Sequence, residues 1–456
     1  MRPLTAQWIA NAAGGELVGD VDAIVTSVVK DSRDAVDGSM YVAFIGEHSD
    51  GHDFAQAAVA SGAVLCLVSQ PVAVPHILVD DATEALGALA KAYLTLLRTE
   101  GTITVIGITG SNGKTTTKDI LGQVLPAAVA PEGSYNNEIG LPLTVLRADS
   151  HTRHLVLEMG ASGPGHIAYL TSIAPPDIAV VLMVGTAHAG GYDGPDGIAR
   201  AKAEIVTGLV PGGLAVLNAD DAAVADMARF ASSVVTFGTA ASADLRADDI
   251  QSRRGRATFT VHSGEVSVPV ALTLVGEHHV TNALAAIAVG LECGLTLHEA
   301  AAAVSAAGPI SEHRMAVVTR ADGITIIDDS YNASPESMRA ALRALMDVAG
   351  GERTFAVLGA MLEMGAGSAA AHADLGHIAV RLGVDHLVVV GDAAKAAYDA
   401  AVREGSWGDE AVFVGTIGEA REYLDDHLRT GDTVLVKASH GAGLYQLADE
   451  LMGERA

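Results

Sequence analysis

Cysteine is nearly absent. The 456 residues hold two, Cys66 and Cys293. Two cysteines in unrelated apolar runs ("AVLCLV", "GLECGL") exclude a disulfide framework and leave no thiol-based metal spacing. Both are read as buried thiols. Positive charge is scarce as well: 28 Lys+Arg stand against 55 Asp+Glu, a formal net charge of −27. Proteins that bind duplex nucleic acid present a basic face, so a balance this acidic argues against such a partner. It leaves room for a nucleotide, which needs only a local cationic pocket. No apolar run approaches the roughly 18 residues of a membrane span. The N-terminus "MRPLTAQWIANAAGGELVGD" lacks the apolar core of a secretory signal. A soluble, cytoplasmic protein is expected. Low-complexity tracts and fixed-period repeats are also missing.

What remains is a chain that is 49% hydrophobic and 18% charged. It can bury sizeable cores, and its length suggests two to four domains. Short apolar runs alternate with helical segments: "TITVIGIT", "RHLVLEM", "DIAVVLMV", "GLAVLN" and "SVVTFG". Continuous apolar strands separated by helices predict a parallel sheet covered on both faces. An Ala-rich helix predicted from Leu297 to Ala307 stops at Gly308-Pro309. The alternation then restarts with "GITIIDD", "RTFAVLG", "DHLVVVGD", "AVFVG" and "DTVLVKAS". The fold class is therefore α/β with three domains. Residues 1–98 form a small α/β domain, 99–308 a central phosphate-loop domain, and 309–456 a doubly wound, Rossmann-like domain.

The central domain opens on "TVIGITGSNGKTTT". The strict phosphate-loop pattern wants a glycine five residues before Gly113, and Ile108 stands there instead. What is present is Gly110, Ser111, Asn112, Gly113, Lys114, Thr115 and Thr116 between a strand and a helix. Successive N–H groups at a helix N-terminus favour an anion. Lys114 adds a point charge, and the Thr115 hydroxyl can ligate Mg²⁺. Glu158 ends the strand "HLVLEM", where an acidic side chain would meet that Mg²⁺. His188 follows another apolar strand. Lys202 falls on a helix and reads, from composition alone, as a surface lysine. Asn282 opens an Ala-rich helix, where asparagine is usually a cap. Arg314 stands at the domain break, placed to reach a phosphate across a cleft. "IIDDSYNASPESM" puts Asp328, Asp329, Tyr331 and Asn332 at a strand's C-terminal end, where open α/β sheets bind ligands. The same stretch also reads as a turn with a helix cap at Ser334 and Pro335. These residues leave two classes open, an ATP-driven ligase with substrates between domains or a phosphate-loop switch or motor. The N-K-x-D motif of GTP switches is absent, and no apolar strand ends in Asp-Glu as in motor assemblies.

Read together, these residues resemble the Mur ligases of peptidoglycan synthesis over nearly the whole chain. "GITGSNGKTTT" is similar to that family's T-G-[ST]-x-G-K-[ST] loop, with Gly110 as its first glycine. "KDSRDAVDGSMYVAFIGEHSDGHDFAQAAVASGA" resembles a uridine-side N-terminal domain, with Ser32 and Arg33 in its "DSR" motif. "EGSYNNEIGLPLTVL" matches an N-N-[DE]-I-G-x-P segment at Asn136, Asn137 and Gly140, and "DDSYNASPESMRAAL" matches a D-[DE]-[ST/A]-Y-N-A segment. These stretches point to the member that uses ATP to join D-alanyl-D-alanine to UDP-N-acetylmuramoyl-tripeptide, the last cytoplasmic step of the precursor. The D-N-P-R motif of the member that adds the third residue is absent. Folate-glutamate ligases share the loop but not this N-terminal domain. The tripeptide's third residue is left as diaminopimelate or lysine.

The resemblance implies site roles that spacing does not. Thr115 and Glu158 would hold one Mg²⁺ and His188 a second. Lys202 would react with CO₂ to form a carbamate that acts as an anionic metal ligand. Asn282 and Arg314 would face the adenine and phosphate side of ATP. Ser32, Arg33, Asn136 and Asn137 would serve the UDP-linked substrate. Asp328, Asp329, Tyr331 and Asn332 would line the cleft near ATP and the dipeptide. The working unit is expected to be a monomer. Three places depart from the family: Ala360 where Asp is usual, His440 where Arg is usual, and Ser134-Tyr135 where Asn and an apolar residue are common.

Overall fold

The protein is described by a computed structural model covering all residues except 47, 102, 186–191, 193, 406–409 and 454–456. Three larger sheets organise the described residues. In the first, the strands run in the order Glu16–Val18, His76–Leu78, Ala63–Val68, Ser39–Val42 and Ser27–Val29. All neighbours are parallel except the first pair. "AIVTSVV" does not form one strand. It splits into Ile24–Val25 and Ser27–Val29, which belong to different sheets, and Thr26 between them bonds the Gly38 carbonyl.

The helix Ala82–Glu100 joins this sheet to the centre. Asp81 caps it by accepting from the N–H groups of Thr83 and Glu84, which satisfies two of its four free donors. Leu86, Leu89, Tyr93 and Leu97 recur at helical spacing and are all buried. They pack toward both Ala6–Ala13 and Gly140–Val145. The Tyr93 hydroxyl donates to the Ala148 carbonyl at 2.6 Å and accepts from Arg2 N at 2.8 Å. One buried ring thus pins the N-terminus to the central domain.

The central sheet has nine strands. Thr104–Thr109 lies between His154–Glu158 on one side and Ile178–Val181 on the other, parallel to both. After Thr109 the chain first builds one half of the sheet and then crosses to the other. The C-terminal end of Thr104–Thr109 is therefore a topological switch point, where open α/β sheets form a crevice. The far half is not parallel throughout. Leu245–Arg253, Arg256–Ser263 and Val266–Val275 form an antiparallel meander that the sequence reading did not distinguish. Its strands alternate buried and exposed residues, so they lack the continuous apolar runs that reveal parallel strands.

The third sheet orders Ala316–Thr319, Thr325–Asp328, Thr433–Lys437, Thr354–Leu358, His386–Val390 and Ala411–Val414. Only the first pair is antiparallel. Ser334 caps the helix Pro335–Ala349 in a capping box with Ser337, and Pro335 takes the first helical position, as the turn chemistry predicted. Asp347 on that helix accepts from Gly255 N at 3.0 Å and from the Ser252 hydroxyl, which docks the helix on the meander's first turn. Cys66 is buried and Cys293 half-buried; both are free. Among the described residues no helix is long and apolar enough to cross a membrane.

Candidate functional site

The loop Gly110–Gly113 leaves the switch point and enters the helix Lys114–Val124. Gly113 has φ +87°, a left-handed conformation that side chains resist. A Cβ there would also lie 2.3 Å from Asn282 Oδ1. Asn282 is thus not the cap expected from sequence. It sits inside the helix His279–Glu292, buried, bonded to His279 Nδ1 at 3.0 Å and packed against the loop's second glycine. Burial pushes the His279 imidazole well below its ordinary value, and that of its neighbour His278 down to about 4. Both rings are therefore neutral at physiological pH.

Lys114 Nζ donates to the Gly110 carbonyl at 2.8 Å, folding back over its own loop. Burial holds its ammonium below the ordinary value; Glu158 opposes that shift and Arg314 adds to it. The Thr115 hydroxyl lies 3.0 Å from Glu158 Oε2 and 2.9 Å from the Ser134 hydroxyl. Glu158 is 1% exposed. Its other oxygen accepts from Asn136 Nδ2 at 2.9 Å. Among the described residues no ion pair neutralises Glu158. The Lys114 ammonium acts on it without bonding it, and the donors that touch it among the described residues are neutral, which leaves a buried carboxylate with room for a coordinating cation.

Lys202 is the largest departure from a reading by composition. It lies on the helix Gly194–Thr207, is 6% exposed, and faces the same cleft. Burial first, and the Lys114 charge second, push its ammonium down to about 7. No hydrogen bond or ion pair to a described residue satisfies it. His188 lies outside the described residues.

Arg314 crosses from the C-terminal half. Its guanidinium donates to the hydroxyls of Ser134 (3.1 Å) and Thr115 (3.3 Å), and stacks over the Tyr331 ring at 4.2 Å. Its Nε is buried with no partner among the described residues. A buried donor without an acceptor, beside a phosphate loop, awaits an anion. The Ser334 hydroxyl donates to Asn112 Oδ1 at 3.1 Å, a second tie between the halves.

The cleft enclosed this way measures about 840 Å³. The loop, Glu158, Asn136, Asn137 and Lys202 form one side, and Arg314, Tyr331 and Asn332 the other. Asp328 and Asp329 do not line it; they brace it from behind. Asp328 bonds His313 Nδ1 at 2.6 Å and the Ser330 hydroxyl at 2.5 Å. Burial raises the Asp328 carboxyl, although these partners oppose the shift. Asp329 pairs with Lys437 Nζ at 2.5 Å, and the same ammonium donates to the Asn332 carbonyl at 2.8 Å. Asn137 Oδ1 accepts from Gly140 N at 2.9 Å, so its carbonyl is spent on the start of the next helix. Ser32 and Arg33 lie apart, in a second cleft of about 530 Å³ with Lys30, Tyr41 and Phe44. Lys30 Nζ sits 4.5 Å over the Tyr135 ring and links that region to the segment carrying Ser134 and Asn136.

Sequence reasoning passed over two contributors. Ser134 stood out only as a departure, yet it touches both Thr115 and Arg314. Lys437 closes the apolar run "VLVK" at 1% exposure, and a lysine ending a buried strand was the available signal. The departure at His440 has a structural account. Its ring stacks on Tyr445 (centroids 4.7 Å apart) and lies 5.4 Å from Tyr331, extending the aromatic support under Arg314. Ala360 is buried, and its carbonyl accepts from Ser439 N.

A phosphate loop at a switch point, roofed by a second α/β sheet that sends an arginine into it, defines an enzyme that uses a nucleoside triphosphate between domains. Residues 108–290 match the Mur ligase middle domain and 313–440 the Mur ligase, glutamate ligase domain. The chain is 43% identical to the UDP-N-acetylmuramoyl-tripeptide–D-alanyl-D-alanine ligase of Mycobacterium leprae, covering 100% of this chain and 99% of that one. A crystal structure of MurF from Acinetobacter baumannii superposes with a TM-score of 0.88 at 31% identity, covering 100% of both chains. MurF from Thermotoga maritima, solved in complex with ADP, gives 0.80 at 28% identity, covering 95% of this chain and 99% of that one. The chain belongs to the Mur ligase family. It is an ATP-dependent amide ligase of peptidoglycan precursor synthesis.

Proposed function

We propose that this enzyme joins D-alanyl-D-alanine to UDP-N-acetylmuramoyl-tripeptide with cleavage of ATP to ADP. The convergence of Lys114, Thr115, Glu158 and Lys202 on one cleft roofed by Arg314 carries this reading. Full-length similarity to ligases of that name supports the substrate pair. Residues 1–98 would hold the uridine end through Ser32 and Arg33, 99–308 would hold ATP, and 309–456 would close over it. The cleft is assembled within one chain, which supports a monomer as the working unit. Such an enzyme would act in the cytoplasm, where ATP is available.

The reaction brings two anions together. The tripeptide's terminal carboxylate attacks the γ-phosphorus of ATP, and ADP leaves. The neutral amine of the dipeptide then attacks the acyl carbon, and phosphate departs with the former carboxylate oxygen. Little covalent work falls to the protein. Its task is to position the two anions and neutralise their repulsion. Lys114 and Arg314 supply fixed positive charge at the phosphates, and the loop's N–H groups receive phosphate oxygens. Tyr331 and Asn332 line the side from which the dipeptide would enter.

Two further groups fit these residues. The buried Glu158 carboxylate, with no ion pair among the described residues, lies beside the Thr115 hydroxyl and suits Mg²⁺, a hard cation that takes oxygen ligands. With His188 and Lys202 they would supply the ligands for two ions. Bound Mg²⁺ would screen phosphate charge and polarise the transferring group. Burial makes the neutral Lys202 amine accessible near pH 7, and that is the form that attacks CO₂. A carbamate there would turn a buried amine, with no bonding partner among the described residues, into an anionic ligand.

The acyl phosphate makes a direct prediction. With ¹⁸O in the tripeptide's terminal carboxylate, one labelled oxygen should appear in the released phosphate, as read by mass spectrometry. Phosphate free of label would rule out this route.

A further inference from the structure

The cleft wall beyond Glu158 carries a charge that the reaction does not use. Asn136 is tied to Glu158, and Asn137 is tied to the helix Gly140–Val145. Glu138 follows directly, so its backbone is fixed from both sides. Its Oε2 lies 3.1 Å from His166 Nε2. The other ring nitrogen, Nδ1, accepts from Ser162 N at 3.2 Å and lies 2.9 Å from the Ser162 hydroxyl. A backbone N–H can only donate, so the ring proton belongs on Nε2 and points at Glu138. His166 opens the helix His166–Ile173. Glu204 fastens that opening by accepting from Gly165 N at 2.7 Å and Ala168 N at 3.0 Å. Glu204 shares the helix Gly194–Thr207 with Lys202.

Three side chains therefore aim one carboxylate. The Glu138 side chain is 43% exposed and lines the ATP cleft. No described residue bonds its second oxygen, Oε1. The triphosphate, the carboxylate and the uridine diphosphate are anionic, and a fixed carboxylate in that wall would repel them. Two groups of the organic substrates can be ammonium ions: the dipeptide's amino terminus, which must be neutral to attack and would be kept protonated by a paired carboxylate, and the side chain of the tripeptide's third residue. The carboxylate to be activated belongs to the tripeptide's third residue, so that residue's side chain lies close to the reacting end. Lysine and diaminopimelate both carry a side-chain ammonium.

Resting on the ligase reading above, we propose that Glu138, oriented by His166 and Ser162, binds the side-chain ammonium of the tripeptide's third residue. The contact selects for a diamino acid at that position. It also fixes the direction in which the terminal carboxylate faces Lys114. Glu138 acts in binding, and His166 and Ser162 are positioning residues.

The test uses three UDP-tripeptides, ending in lysine, in diaminopimelate, or in lysine acetylated on its side-chain nitrogen. For the wild type, acetylation should raise KM by about two- to fivefold, the size expected of a partly exposed charge pair. Glu138→Gln should raise KM for both charged tripeptides by a similar factor. It should add nothing further on the acetylated one, while KM for ATP and for D-alanyl-D-alanine stays unchanged. His166→Ala should move the same KM in the same direction. A wild-type enzyme indifferent to acetylation, or a Glu138→Gln loss equal on all three tripeptides, overturns the contact while the ligase reading stands. No turnover with any tripeptide and dipeptide overturns both.

Discussion

Lys114→Ala is expected to lower kcat by about 10²–10³-fold, the usual cost of removing one fixed charge or donor from a developing anionic centre. The side chain folds back to the Gly110 carbonyl at 2.8 Å, so its ammonium sits over the loop that receives the phosphates. It is desolvated, which makes its field stronger than that of a surface lysine. Its loss would leave Arg314 as the remaining described cation at the phosphate side of the cleft. Arg314 already spends one nitrogen on Ser134 and Thr115. ADP formation at saturating substrates measures the effect, and an unchanged melting temperature would separate it from misfolding. A kcat within fivefold of wild type would mean that Lys114 does not touch the transferred phosphate.

Lys202→Ala is expected to cost a similar factor for a different reason. The native side chain is buried, carries a lowered pKa of about 7, and has no described partner. Burying an ammonium with no bonding partner among the described residues is expensive, which favours a form of the side chain other than the cation. If the working form is a carbamate, Lys202→Arg should be as inactive as Lys202→Ala, since a guanidinium keeps the charge and cannot react with CO₂. Acetate or propionate added to Lys202→Ala should restore part of the rate, because a small carboxylate can occupy the space left by the side chain. The arginine variant should show no such rescue. Substantial activity in Lys202→Arg would contradict the carbamate, and full activity in Lys202→Ala would remove Lys202 from the site altogether.

The contrast between these two lysines shows how much of the site was legible beforehand. Lys114 announces itself, because a strand, two glycines and Lys-Thr before a helix have one common use. Lys202 does not. On its helix nothing in the local sequence distinguishes a buried lysine from a solvated one, and only the resemblance to a family singled it out. Asn282 shows the opposite error. Its position near a helix start suggested a cap, but packing against Gly113 placed it one turn further in. The parallel strands were readable because burial on both faces makes them continuously apolar. The meander from Leu245 to Val275 was not, because its exposed face breaks those runs. Contacts across long separations were beyond reach of any local pattern. Arg314 meets Thr115 across 199 residues, and Lys437 meets Asp329 across 108.

The closure contacts explain why the loop alone is not the enzyme. Arg314, Ser334 and Asp347 each bond from the C-terminal half to the central domain. A site assembled by such contacts is complete only when the two halves meet, and substrate binding can drive that meeting. ATP hydrolysis without the other substrates should therefore be slow.

Phosphate release from ATP, measured while each substrate is omitted in turn, tests the central claim most directly. A ligase that couples the two halves should release phosphate at its full rate only when ATP, UDP-N-acetylmuramoyl-tripeptide and D-alanyl-D-alanine are all present. Brisk release with ATP alone, or release indifferent to the dipeptide, would contradict it.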